Sequence, residues 1–389
     1  MEFLGDAMMT EYQVICADSH VNPPPDFWQD YLPPALREMA PKIEHGDDAD
    51  YVVFEGRRKK LNLIGAQAGR DGKDFKMEGR LSDMRGGGWL PDERLKDMDT
   101  DGLDAAVMFG GGPLATSNDD LYIESFDAYN RWLADFCDYD TKRLAGVAYL
   151  PMRDVDESIA MLKRMAARGF RAVNIPAFPQ SKSLKSMETA GGAQVVALTG
   201  NPHGELQYDD SSFDRFWAAV VDLDITITIH LGARMARWNE PRFFLSDLLM
   251  TKFSMAEPIA ILIFGGVFQR FPKLRFASIE SGVGWFAFAA HYMDMTWKKQ
   301  RFWTKNGLTE PPSFYMDQNV YGSFIHDKPG IFTRHLPGAK NIMWSSDYPH
   351  SETTFPHSRE SIADLFEGVP EDEKYEIVCG RAKRLFGIG

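Results

Sequence analysis

Short apolar or β-branched runs recur along this chain, and each is followed by loop residues and then by a stretch with helical spacing, the signature of repeated βα units. Eight runs stand out: YQVICAD at 12–18, DAAVMFG at 104–110, LAGVAYL at 144–150, RAVNIPA at 171–177, DITITIH at 224–230, LRFASIE at 274–280, NVYGSF at 319–324 and NIMWSSD at 341–347. Several are apolar throughout, as strands buried on both faces of a parallel sheet are. Eight strands alternating with helices predict an α/β fold, a distorted (β/α)8 barrel.

The helices between them have their own signals. In DVDESIAMLKRMAARG, Asp154 suits a cap, Ile159, Leu162 and Met165 form an apolar stripe, and Gly169 suits the stop. SFDRFWAAVVDL, PIAILIFGGVFQRFP and a closing segment from Pro370 to Phe386, with Tyr375, Val378, Ala382 and Leu385 on one side, read the same way. Two stretches exceed a minimal barrel: 21–100, rich in Pro, Gly and charge, and 177–212, with the loop signals SKSLKS and TAGGAQ. They are expected to be long insertions after strands one and four, the first a lid region, within a single domain spanning 1–389.

Composition narrows the function. The 44% apolar and 13% aromatic content of 389 residues supports a large core. A net charge of −13 disfavours nucleic acid as a partner. Cys16, Cys137 and Cys379 are too few and too widely spaced for a disulfide framework or a thiolate cluster, which fits a reducing cytoplasm. The first residues show no basic-then-apolar signal pattern, and no run reaches the roughly 18 apolar residues of a membrane span. A small molecule is the expected partner.

Candidate chemistry gathers at the ends of predicted strands. Strand side chains alternate, so Asp18 and His20 point to one side at the end of the first strand, a geometry that suits two metal ligands and equally a hydrogen-bonded turn. His230 closes the fifth strand, at the barrel face where active sites are assembled, although a histidine on a buried strand is often structural. Asp347, in WSSDYPH, reaches the same rim from the eighth strand, where it could also cap the following helix.

Combined, these residues resemble the amidohydrolase superfamily, in its amidohydrolase-related branch that includes aminocarboxymuconate semialdehyde, γ-resorcylate and carboxyvanillate decarboxylases. The likeness runs from Asp18-Ser-His20 through Arg143-Leu-Ala-Gly-Val-Ala-Tyr-Leu-Pro151 and Phe271-Pro-Lys-Leu-Arg275 to Ser346-Asp-Tyr-Pro349. It implies a divalent ion, zinc or manganese with iron as a further candidate, held by Asp18, His20, His230 and Asp347, and a homodimer. Asp18 departs from the branch's usual His-x-His or Glu-x-His, and a carboxylate there is still a competent hard ligand. The larger departure is Glu280, where the decarboxylases present a histidine. It becomes a candidate ligand, base or bridge to a second ion, or else the ion-pair partner of Arg234 or another rim cation.

Hydrolysis of a small apolar or aromatic carboxylate-containing substrate by a metal-activated water is the leading expectation. Asp347, Glu280 and His350 are its catalytic candidates, and Arg234 and Trp285 its substrate contacts. Non-oxidative decarboxylation of an aromatic or enoic acid is the second. A dinuclear iron or manganese-iron oxygenase, with Asp18, Glu280 and His350 as extra ligands, is the third. His291 is a further candidate for the rim, and Trp28, Trp89, Trp238, Trp285 and Trp344 hint at an aromatic substrate.

Overall fold

The computed structural model describes residues 13–24, 26–114, 116–180, 199–200, 206–231 and 240–388. The strands, in chain order, are β1 (Ile15–Val21), β2 (Lys42–His45), β3 (Asp50–Phe54), β4 (Arg57–Asn62), β5 (Glu78–Gly79), β6 (Ala105–Gly110), β7 (Leu144–Gly146), β8 (Ala148–Tyr149), β9 (Ala172–Asn174), β10 (Thr226–His230), β11 (Arg275–Ile279), β12 (Val320–Phe324) and β13 (Ile342–Trp344). Two parallel sheets, ordered β1-β6-β7 and β13-β12-β11-β10-β9-β8, make the wall of the TIM barrel.

The run at 144–150 is expected as one strand and is divided at Val147, with β7 pairing to β6 and β8 to β9. The same stretch therefore joins the two sheets, and the Val147 amide still donates to the Met108 carbonyl at 3.0 Å. At the opposite seam, the Asp347 amide donates to the Asp18 carbonyl at 3.0 Å and the His20 amide to the Tyr348 carbonyl at 2.5 Å. The seam thus ties together the two segments that carry candidate ligands.

The barrel strands are almost wholly buried, as parallel strands between a filled interior and a helical layer must be. The expected helix after β8 is Val155–Ala167. The Asp154 carboxylate caps it by accepting from the Asp156 and Glu157 amides at 2.9 and 3.1 Å, and Met161, Leu162 and Met165 are buried beneath it. The closing segment is helical from Glu371 to Phe386, with a wider π turn over Glu376–Gly380.

Between β1 and β6 the chain makes a long excursion, in which β2–β5 form an antiparallel sheet of their own. The helix Pro91–Asp101 then returns it to the barrel. Most of the 177–212 stretch lies outside the described residues. Cys16, Cys137 and Cys379 are buried and form no disulfide. Among the described residues no helix is long and apolar enough to cross a membrane.

Candidate metal centre

Each strand end delivers its side chain by a local device. β1 pairs with β6 through a register shift between Cys16 and Ser19, with Asp18 inside the shifted stretch and His20 just beyond it, paired with Phe109. His230 is the last residue of β10, and the T-shaped contact of its ring with His20, centroids 4.8 Å apart, sets its orientation. Phe109, at the end of β6, lies 4.9 Å from the same ring. Glu280 and Asp347 follow β11 and β13 with φ of 58° and 55°, in the left-handed region that side chains other than glycine rarely occupy. Strained backbone at two carboxylates on one rim is the kind of cost that packing sustains at functional positions. The Glu280 amide is held by the Ser323 hydroxyl at 2.8 Å.

Six side chains converge. His20 Nε2 lies 2.9 Å from Asp347 Oδ1, 3.3 Å from Asp18 Oδ1 and 4.0 Å from Glu280 Oε2. His230 Nε2 lies 3.3 Å from Asp18 Oδ1 and 3.5 Å from Glu280 Oε2. His350 Nδ1 is 3.1 Å from Asp347 Oδ1, and its ring stacks on His20 at 3.7 Å. There is room for that stack because residue 65 is glycine: a Cβ there would lie 3.3 Å from the His350 ring.

These distances produce two overlapping donor groups, Asp18-His20-His230-Glu280 and His20-Glu280-Asp347-His350. Within each, the ligand atoms lie inside 4.8 Å of one another. Asp18 Oδ2, His20 Nε2 and Asp347 Oδ1 are buried without a hydrogen-bond partner among the described residues. His20 Nε2 and Asp347 Oδ1 are close enough for an ion pair and yet are not aligned as a hydrogen bond. Buried polar atoms seldom go unpaired, and lone pairs aimed at a common point are what a cation satisfies. The donors are imidazole and carboxylate only, a set that suits a divalent ion such as manganese, zinc or iron.

Electrostatics separates the three carboxyls. Burial pushes Asp18 up, but His230 and His20 outweigh it and hold the group at about 2. Burial likewise opposes the charge on Asp347, and His350 and His20 overcome it, leaving the group far below the usual carboxylate range. Glu280 is raised: burial dominates and Asp347 adds to it, while Lys252 only partly offsets them. Lys252 Nζ is 3.0 Å from Glu280 Oε1 and 3.1 Å from Glu352 Oε2, and these two carboxylates hold its ammonium charged against burial.

Asp18, His20, His230, Glu280, Asp347 and His350 are thus brought together. Arg234 lies outside the described residues, and the described cation beside Glu280 is Lys252, from the helix Pro241–Ser254. No motif surrounds Lys252 in the sequence. Trp285 lines a cleft of about 440 Å3 that opens beside Glu280, with Phe253, Phe324 and Ile325 among its walls. Trp28 and Trp344 belong to the core instead, because their side chains fill the layer around the barrel, and Trp238 lies outside the described residues. His291 is exposed on the helix Phe286–Gln300, away from the six.

A decarboxylase of 2-amino-3-carboxymuconate-6-semialdehyde from Dictyostelium discoideum is 24% identical over 310 residues, covering 77% of each chain. The γ-resorcylate decarboxylase of Rhodococcus jostii is 24% identical over 335 residues, 80% of this chain and 90% of its own. Among solved structures, an amidohydrolase from Mycobacterium avium subsp. paratuberculosis superposes with a TM-score of 0.72 at 19% identity, covering 97% of this chain and 99% of its own. A 5-carboxyvanillate decarboxylase from Novosphingobium aromaticivorans, solved with manganese and a nitrobenzoic acid, gives 0.65 at 16% identity and 97% of both chains. The Amidohydrolase family model matches residues 17–388, from the alanine before Asp18 in the first strand to just past the closing helix, and the chain belongs to that family.

Proposed function

We propose that this protein is a divalent-metal-dependent carboxy-lyase that removes CO2 from an aromatic or enoic carboxylic acid without oxidation. The observation that carries it is the placement of Glu280, which faces the cluster with one oxygen and Lys252 with the other while lining the cleft with Trp285, Phe253 and Phe324. The curated relatives are decarboxylases, which favours this reading over the hydrolysis expected from sequence.

Asp18, His20, His230 and Asp347 would hold the ion. When bound, it supplies Lewis-acid polarisation of substrate oxygen. The residues of the chain do the rest. Trp285, Phe253 and Phe324 take the apolar body of the substrate and exclude water from it. Lys252 places positive charge at the polar end of the cleft. As the bond to the carboxylate carbon breaks, its electron pair stays on the substrate carbon, CO2 leaves, and the Glu280 carboxyl gives that carbon a proton. Among the buried carboxyls Glu280 suits this role, because burial, aided by Asp347, favours its protonated form, while the histidines beside Asp18 and Asp347 hold those two ionised. Solvent returns the proton to Glu280.

The test is to load metal-free protein with manganese and follow CO2 release from hydroxybenzoates and enoic acids, alongside ester and amide hydrolysis. Release of CO2 that Glu280→Gln lowers by about 10²–10⁴-fold supports the reading. Hydrolysis without CO2 overturns it.

A second reading, a dinuclear oxygenase, is favoured by the two overlapping donor groups, since six donors exceed what one ion in a four-ligand site requires. Two ions per chain including iron, with turnover that needs oxygen, would select it.

The chain would act as a single barrel domain, with 21–100 as a roof over the site. Its buried cysteines, none in a disulfide, fit a reducing cytoplasm. Phe288, Tyr292, Phe302, Trp303 and Phe332 are each more than three-fifths exposed, an apolar surface that fits a homodimer. Light scattering that finds only monomer would remove that part.

A further inference from the structure

Arg94 is 1% exposed, on the helix Pro91–Asp101 that ends the excursion, and none of the mechanism above uses it. Its guanidinium donates from Nε to the Gly87 carbonyl at 2.6 Å, from Nη1 to the Ser19 hydroxyl at 2.6 Å and from Nη2 to the His20 carbonyl. It also lies over the Tyr348 ring, 4.3 Å from the centroid. Among the described residues no carboxylate comes within 4 Å of it. A buried cation without an ion pair is costly, and carbonyls, a hydroxyl and a ring face have to stand in for the missing charge.

The acceptors explain where the group is placed. Ser19 and His20 are the end of β1, Tyr348 follows Asp347 at the end of β13, and Gly87 belongs to the excursion. The donors of the planar fork are fixed in direction and hold β1 against Gly87, while the face of the group resting on the Tyr348 ring brings in the third segment. Its neighbours complete the tie. Ser19 Oγ donates to the Tyr348 carbonyl at 3.3 Å, and the Tyr348 hydroxyl donates to Asp97, which Arg85 also holds. Residue 87 is glycine because a Cβ there would lie 2.5 Å from the Tyr348 hydroxyl and 2.7 Å from Asp97.

We propose that Arg94 is a positioning residue for the metal centre, fixing the backbone of His20 against that of Asp347 so that the two side chains meet the ion from opposite sides of the barrel seam. This rests on the reading that the cluster holds a divalent ion. Removing an outer-shell partner of a metal ligand typically lowers affinity 10–100-fold, and a loss in that range is expected here.

The experiment measures manganese affinity by competition with a chelator, and the visible spectrum of the cobalt-loaded protein, for wild type, Arg94→Met, Arg94→Lys and Ser19→Ala. Leu162→Ala, a core truncation on a barrel helix, controls for loss of stability alone. Folding of each metal-free protein is followed by circular dichroism. Arg94→Met is expected to bind manganese 10–100-fold more weakly with an altered cobalt spectrum. Arg94→Lys should recover part of the affinity, Ser19→Ala should weaken it in the same direction, and Leu162→Ala should leave it unchanged. If Arg94→Met does not fold, Ser19→Ala and Arg94→Lys carry the test. Wild-type affinity and spectrum in the folded Arg94 and Ser19 variants overturn the positioning role alone. A wild-type protein that binds neither ion overturns the metal reading and this inference with it.

Discussion

Metal binding at this site should release a proton, and its affinity should follow pH accordingly. In the metal-free protein burial opposes charge on His20, but Asp18 and Asp347 outweigh it and hold the imidazolium up to about 10. The nitrogen facing those carboxylates is Nε2, the same atom that a ligated ion would need. Below about pH 10 an incoming ion must therefore displace the proton on His20. One proton exchanged per ion makes apparent affinity rise about tenfold, or about 1.36 kcal/mol, for each pH unit. Between pH 6 and 8 the gain is roughly a hundredfold on the same grounds. Manganese titrations of chelator-stripped protein at pH 6, 7 and 8, with calorimetry in buffers of differing ionisation enthalpy, measure both affinity and proton count. Affinity independent of pH, with no proton released, would refute the assignment of His20 as a protonated ligand.

The same shifts give the stability of the metal-free fold its pH dependence. The raised value of His20 contributes stability that is complete below 6.5 and lost as pH rises through about 10. The lowered value of Asp18 contributes stability present above 3.8 and lost as pH falls through about 2. Stripped protein should thus weaken from pH 6.5 towards 10. Manganese at about 100 times its Kd should return about 2.7 kcal/mol. At about 2.1 cal/mol/K of unfolding entropy per residue, that is a rise of about 3 °C in Tm for a chain of this length.

Further expectations concern single residues. His230→Ala and Asp347→Ala should each lose most bound metal while circular dichroism stays that of the folded barrel; full metal content in both would remove the site. Lys252→Met takes away the cation that lowers Glu280, so the alkaline limb of a kcat profile should move to higher pH, and an unmoved limb would separate Glu280 from proton transfer. Trp285→Ala should raise KM for an aromatic acid by about tenfold or more, as the loss of a large apolar contact of about 1–3 kcal/mol implies, with a smaller effect on kcat. An unchanged KM would place the substrate elsewhere.

The barrel was legible because its strands are short apolar runs with loops after them, and the side chains at their carboxyl ends share one rim wherever those runs close into a wall. That is why Asp18, His20, His230 and Asp347 could be placed together from order alone, and Glu280 joined them through the family resemblance. Lys252 could not. It is one lysine on an unremarkable helix, and only the crossing of that helix over the end of β11 brings it to Glu280. The excursion sheet was equally hidden, since β4 reads Arg57-Arg-Lys-Lys-Leu-Asn62 with five of six positions exposed, a charged run without alternation. Trp28 and Trp344 misled for the opposite reason, because a tryptophan beside a predicted rim loop fills the core as readily as it lines a site. Arg94 looked like one charge among many between 91 and 101, and its burial depends on long-range partners at 19, 20 and 348.

Elemental analysis of anaerobically purified protein tests the central claim most directly, since the account stands on the buried Asp18, His20, His230 and Asp347 holding a divalent ion. One manganese, zinc or iron per chain, or two if the overlapping groups both fill, is the expected result, with the content falling in Asp347→Ala. Protein that carries no stoichiometric metal, and takes up none when manganese, zinc or iron is supplied, would contradict it.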